Sequence, residues 1–212
     1  MANNNAPYGL LPFQSAVGAA SNFEHVIKPI AYNDTTKIYT GDPVKLLNTG
    51  YIAQWSAATD AKFFAGVFAG CTYLSSSQGK MVQANFWPGA DVASTAQDSI
   101  SATIIPCGMG AAAGLFRIQS DATGIAFADI NLNAEITVGT GNTLTGRSGA
   151  YLSGPAATAT LPVTIVGLYG GVFGAGGFGG IQPSSTNPYG GSATGAYNWV
   201  IVRPNAAALL GL

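Results

Sequence analysis

The sequence predicts a mainly β protein: an antiparallel β-sandwich, jelly-roll-like, with an extended N-terminal arm and a long glycine-rich loop. Three observations carry that expectation. Short β-branched and aromatic runs recur between Gly-, Asn- and Ser-containing turns, several runs alternate with period two, and 29 glycines and 11 prolines punctuate the 212 residues. Helical signal is weak, because "GMGAAAG" is short and glycine-rich and "NAAALLGL" allows two turns at most. A chain of 212 residues suits one domain with an arm and can bury a real core.

Residues 1–22 are expected to form the arm. Pro7, Gly9, Pro12 and Gly18 break any helix, while Tyr8, Leu10, Leu11 and Phe13 are too apolar for a free solvated tail. The sandwich is expected over 23–205, with a short tail at 206–212. Its first hairpin joins Val44–Leu47 to Tyr51–Trp55 through Asn48, Thr49 and Gly50. A second joins "FFAGVFAGCTYL" to "KMVQANFW" through "SSSQG". Further strands are expected at Ile100–Ile105, Leu115–Gln119, Glu135–Val138, Leu161–Tyr169 and Ala196–Arg203, for seven to ten in all.

In "LFRIQS" the alternation places Phe116 and Ile118 on a core face and Arg117 and Gln119 on a solvated one. "LPVTIV" and "AYNWVIV" are apolar or neutral on both faces, as central covered strands require. The segment 170–195 mixes glycine with Phe173, Phe178 and Tyr189, which suits a loop that orders against a neighbouring subunit.

Only 8% of residues are charged, against roughly a quarter in an ordinary soluble domain, and the formal net charge is −1. Such a surface has little self-repulsion to keep copies apart, so partners are expected to cover much of it. Eight Lys plus Arg are spread singly from Lys28 to Arg203, leaving no basic stripe for nucleic acid. "LPVTIVGLYGGVFGAGGFGGI" is long enough for a membrane helix, but its glycines and "VTIV" opening favour a strand, so no membrane partner is expected. The N-terminus lacks the basic start and apolar core of a secretory signal, and synthesis in the cytoplasm is expected.

Nothing in the sequence assembles a reactive site. A nucleophile–base pair would have to use His25, the one histidine, and its neighbour Glu24 points to the opposite face of an extended strand. Cys71 and Cys107 lack zinc spacing, and "DINLNAE" lacks the acidic density of a calcium loop. Paired carboxylates remain open, so a carbohydrate-binding or glycosidase sandwich is the enzyme alternative. Period two places Val67, Ala69, Cys71 and Tyr73 on one face and Phe68 on the other. With no cation nearby, Cys71 is expected to fill space rather than react, and a cytosolic chain disfavours a Cys71–Cys107 disulfide. The expectation is no enzyme, no catalytic residues, no cofactor and no metal.

"NAPYGLLP", "IYTGDPVKL", "GVFAGCTY" with its polar hairpin and "FWPG", "TGRSGAYL" and "AYNWVIVRPN" together resemble the head decoration, or cement, proteins of tailed bacteriophages, from Asn5 to Asn205. The resemblance implies a small β-sandwich or jelly roll that sits as a homodimer or homotrimer on the outer surface of the virion capsid. There it would clamp neighbouring copies of the major capsid protein, and the resemblance transfers no catalytic residues. Another phage structural role, in tail or baseplate, is the nearest alternative. Composition and position nominate Pro7, Tyr8, Leu10, Phe13, Phe173, Phe178 and Tyr189 as contacts with shell or subunit.

Overall fold

The computed structural model describes residues 3–15, 25–56, 64–95, 97–107, 114–169 and 195–205. Among them are fourteen strands, all in antiparallel sheets, and helix is limited to single 3-10 turns at Gln97–Ser99 and Phe127–Asp129. The count exceeds the seven to ten expected because several strands have only two or three residues, too few for a period to register.

One sheet has the order β1(Leu11–Ser15), β10(Gly114–Gln119), β14(Trp199–Pro204), β13(Val163–Tyr169), β11(Asn133–Thr137), β12(Tyr151–Ala156). The other has the order β2(Val26–Lys28), β9(Ser101–Pro106), β6(Phe64–Leu74), β4(Pro43–Leu46), β5(Ile52–Gln54), with β7(Met81–Ala84) pairing β6 as well. A ribbon of β3(Ile38–Tyr39) and β8(Phe86–Trp87) completes the fold. The pairs β1 with β10, β2 with β9 and β3 with β8 are nested, like one long hairpin folded over itself. Both expected hairpins are present, as β4–β5 and β6–β7. Strands β13 and β14 are central, as their doubly apolar faces require.

Two apolar clusters build the core. One gathers Leu10, Trp55, Val67, Cys107, Phe116, Ile118, Leu152, Ile165 and Val202 with their neighbours. The other gathers Ile30, Ile38, Val44, Phe68, Cys71, Tyr73, Trp87 and Ile104 with theirs. Val67 and Phe68 are consecutive in β6 and fall in different clusters, so this strand packs on both faces. The expected alternation in β6 is corrected here. Its pairing with β9 shifts between Phe68 and Gly70, and the extra residue of that bulge brings Phe68, Cys71 and Tyr73 into one cluster while Val67 joins the other.

The arm is corrected too. Residues 11–15 are an edge strand of the chain's own first sheet, and Leu10 is 1% exposed in the core. An apolar residue beside an unpaired edge is better buried intramolecularly than held in water for a neighbour. Pro12 and a register shift between Pro12 and Gln14 interrupt the ladder of this edge. The solvated placing of Gln119 is likewise corrected: it is 2% exposed, accepting from the Ala6 N–H (2.9 Å) and donating to the carbonyls of Asn4 (2.7 Å) and Tyr197 (2.9 Å). Gln119 thereby ties the start of the described chain to the 195–198 turn.

Gly9 and Gly41 permit the N-terminal segment to cross the Tyr39–Asp42 turn. A Cβ on Gly9 (φ +74°) would lie 2.4 Å from the Gly41 carbonyl oxygen and 2.7 Å from Ser148 Cβ. Gly9→Ala is therefore expected to cost about 2–4 kcal/mol, strain and overpacking together. Gly50→Ala (φ +87°, nothing within 4 Å) should cost only the backbone term, about 1 kcal/mol. Urea unfolding of both variants checks the ordering, and equal losses would show that close approach at Gly9 does not matter.

Candidate functional site

Three of the stretches that carry the resemblance converge. The Gly9 N–H donates to the Ala150 carbonyl (3.1 Å) and the Leu10 N–H to that of Gly41 (2.9 Å). The Thr40 N–H donates to the Gly146 carbonyl (2.9 Å), and the Ser148 N–H returns to that of Thr40 (2.9 Å). Buried at the centre is Asp42. One carboxylate oxygen accepts from the Ser148 hydroxyl, and the other from the Tyr39 N–H (2.8 Å) and Gln54 Nε2 (2.9 Å). Burial pushes the Asp42 carboxyl above its ordinary range, and the bonds from Ser148, Tyr39 and Gln54 act against that rise.

Over this junction the chain presents a stripe of arginine and aromatic side chains. Phe116, Ile118, Val200 and Val202 point into the core, so Arg117 and Trp199, one position along, lie on the opposite face of the first sheet. Tyr169 and Trp199 are cross-strand partners. The Arg147 guanidinium lies 4.9 Å from the centroid of the Tyr8 ring, which stacks on Trp199 at 6.1 Å. Arg117 lies 5.8 Å from the Trp199 ring and 5.2 Å from that of Tyr169, whose edge meets Phe13 at 5.5 Å. Each such contact contributes about 0.5–1 kcal/mol at an exposed site, so the stripe holds its side chains in fixed positions as well as displaying them.

At the Tyr8 end opens a cleft of about 240 Å³, walled by Tyr8, Thr40, Asn85, Thr145 and Arg147, with Leu11 and Ala69 supplying apolar surface. Beside it Leu144 projects at 95% exposure from the turn between Asn142 and Arg147. That turn is tightly sewn: the Asn142 N–H donates to the Arg147 carbonyl (2.9 Å), the Gly146 N–H to the Asn142 carbonyl (2.8 Å), and the Leu144 N–H to Asn142 Oδ1 (2.9 Å).

Of the nominated contacts, Tyr8 and Phe13 stand at the two ends of the stripe and half-buried Pro7 adjoins it. Leu10 is withdrawn as a surface contact, because it belongs to the core. Phe173, Phe178 and Tyr189, the loop 170–195 that carries them and the tail 206–212 lie outside the described residues. Sequence reading missed Trp199, Tyr169 and the two arginines as a unit. The alternation around Arg117 signalled its face, but only strand register brings Tyr169 and Trp199 beside it.

The thiols and several of the acids weighed for chemistry are buried or bonded within turns. Cys71 is buried, its thiol pushed up to about 12 by burial and set 3.5 Å from the Phe86 carbonyl oxygen. Cys107 sits in the other cluster, so the two thiols are unlinked fillers of separate cores. His25 is exposed. Asp34, Asp121 and Asp129 each accept backbone N–H groups of their own turns, from Thr36, Thr123 and Ala126. Asp91 binds the Ser75 and Ser76 hydroxyls and the Ser77 N–H, which hold its carboxyl down to about 2. Among the described residues no cluster of His, Cys, Asp and Glu could hold a metal, and no helix is long and apolar enough to cross a membrane.

No family model, curated protein or solved structure matches this chain.

Asp42→Ala strands two buried donors, the Ser148 hydroxyl and the Tyr39 N–H, while half-buried Gln54 keeps the Lys37 carbonyl, and the change is expected to cost about 2–4 kcal/mol by urea unfolding. The two carboxyls respond oppositely to pH. Stability linked to Asp42, whose value is raised, is full below the ordinary carboxylate value of 3.8 and declines as pH rises through the raised one. Stability linked to Asp91, whose value is lowered, is full above 3.8 and is lost as pH falls toward about 2. Comparing wild type with Asp91→Asn from pH 7 downward should show their stability gap closing between those two values. A gap that stays constant would remove Asp91 as the clasp of the Ser75–Gly79 turn.

Proposed function

We propose that this chain is a structural protein of a tailed-phage virion. It decorates the head from outside, clamping adjacent major capsid protein subunits, and works as a homodimer or homotrimer without catalysis. The observation that carries the reading is the preformed arginine–aromatic stripe on a chain with 8% charged residues. Tyrosine, tryptophan and arginine are the residues enriched at binding hot spots, and holding them rigid before contact lowers the entropy lost on docking. The nested strand pairs support the jelly-roll-like part of the reading.

The arm's role changes with its position. Residues 3–15 do not reach out as a tether; they build one side of the stripe through Tyr8 and Phe13. The clamp then works by rigid surface complementarity. Contacts available only on the closed lattice stabilise that state by RT ln(1 + [L]/Kd), and an oligomer bridging several subunits gains further from effective concentration.

The carbohydrate reading is less well supported. Sugars stack on open ring faces, whereas guanidinium groups lie over Tyr8, Tyr169 and Trp199 here. The described cleft lining also lacks a carboxylate.

Mixing the purified protein with undecorated heads and measuring occupancy by sedimentation is expected to give saturable binding by a stable oligomer. Tyr8→Ser should lower occupancy severalfold while the protein stays folded with a melting temperature only a few degrees lower, since the Tyr8 ring is 37% exposed and gives up contacts of about 0.5–1 kcal/mol each with Arg147 and Trp199. A monomer that ignores heads would overturn the proposal, and electron microscopy locating the chain in the tail would transfer it to the tail or baseplate alternative.

A further inference from the structure

The cleft beneath Arg147 is the part of this surface with a definite chemical demand. The Arg147 guanidinium carbon lies 4.9 Å from the centroid of the Tyr8 ring, and a contact with a ring face engages none of the five N–H donors with an oxygen. Among the described residues Arg147 meets no carboxylate. Asp42, bonded to the Ser148 hydroxyl next to Arg147 in the chain, already spends both oxygens on Ser148, Tyr39 and Gln54. The other wall groups, Thr40, Asn85 and Thr145, are neutral hydrogen-bonding residues. Gly146 holds two walls at this spacing: its ideal Cβ would fall 2.5 Å from Asn85 Cβ, so only glycine lets the turn approach so closely.

From these features we infer that the cleft receives one carboxylate side chain, Asp or Glu, of a partner protein, with Leu144 seating in an apolar dimple next to that residue. A volume of about 240 Å³ suits one or two side chains and not a folded element. A planar carboxylate can accept two parallel N–H bonds from one guanidinium. A phosphate backbone does not, because one arginine without basic neighbours in the cleft wall releases about one counterion and gains little affinity. Leu144 supplies the apolar half, since a leucine held almost fully in water by a rigid turn gains free energy only when something covers it. Naming the shell protein as the owner of that carboxylate rests on the decoration reading; the chemistry of the cleft does not.

The test uses four measurements on the full chain. Acetyl-Leu-Glu-amide and its isostere acetyl-Leu-Gln-amide are titrated into labelled protein while NMR follows the Thr145 amide and the Arg147 Nε–H. The acid should shift both signals saturably and the amide should not; identical shifts would overturn the carboxylate receptor. Undecorated heads are then mixed with wild type, Arg147→Gln, Arg147→Lys and Leu144→Ser, with melting temperatures confirming that each is folded. Arg147→Gln is expected to bind roughly tenfold more weakly and to lose salt sensitivity, with Arg147→Lys between the two.

If wild type binds heads and none of the variants differs, the cleft inference falls while the decoration reading stands. If heads are ignored but the acidic dipeptide still shifts Arg147, decoration fails and the receptor survives. If Arg147→Gln changes the oligomer's size on a sizing column, the occupant is a second copy and the shell assignment is overturned.

Discussion

Asp42 is the constraint from which the rest of this surface is organised. A carboxylate enclosed by protein is tolerated only when its lone pairs are occupied, and here a hydroxyl, a backbone N–H and a side-chain amide from three separate stretches occupy them. Those bonds fix the Tyr39–Asp42 turn against the Ser148 segment, and the N-terminal segment then threads between them at Gly9. Tyr8, immediately before, is thereby set over Trp199, and Arg147, immediately before Ser148, over Tyr8. The interior polar junction and the exterior aromatic stripe are two sides of one arrangement.

Much of the architecture was legible in local sequence. Hairpins with glycine-containing loops and runs of β-branched residues identify themselves, because turn chemistry and strand pattern agree within a dozen residues. Cys71 was legible for a similar reason: nothing cationic stands near it in the chain, and it proves to be a buried thiol in an apolar cluster. What could not be read depends on pairing at a distance. The bulge beside Gly70 inverts the faces of half of β6, yet it is defined only against β9. Strands β3 and β8 have two residues each and exist because they meet each other.

The apolar N-terminal segment shows how a correct local reading can yield the wrong partner. Tyr8, Leu10, Leu11 and Phe13 do need a surface, and composition says so; it cannot say whose. The β10 edge of the same chain supplies it, and Leu10 completes the core while Tyr8 and Phe13 stay outside. Arg117 is the converse case. Its face followed from alternation, but stacking between Trp199 and Tyr169 turns an ordinary solvated arginine into an immobilised one.

Nested pairing also dictates an order of events during folding. β4, β5, β6 and β7 can close through short loops, but β3 must wait for β8, β2 for β9, and β1 for a strand about a hundred residues later. Synthesised before the strand it pairs with, this segment is thus among the last to find its place, and until then it carries exposed aromatic and leucine side chains on an unpaired backbone. Pro12 within that segment has no N–H to offer a foreign strand, which disfavours pairing with the wrong sheet.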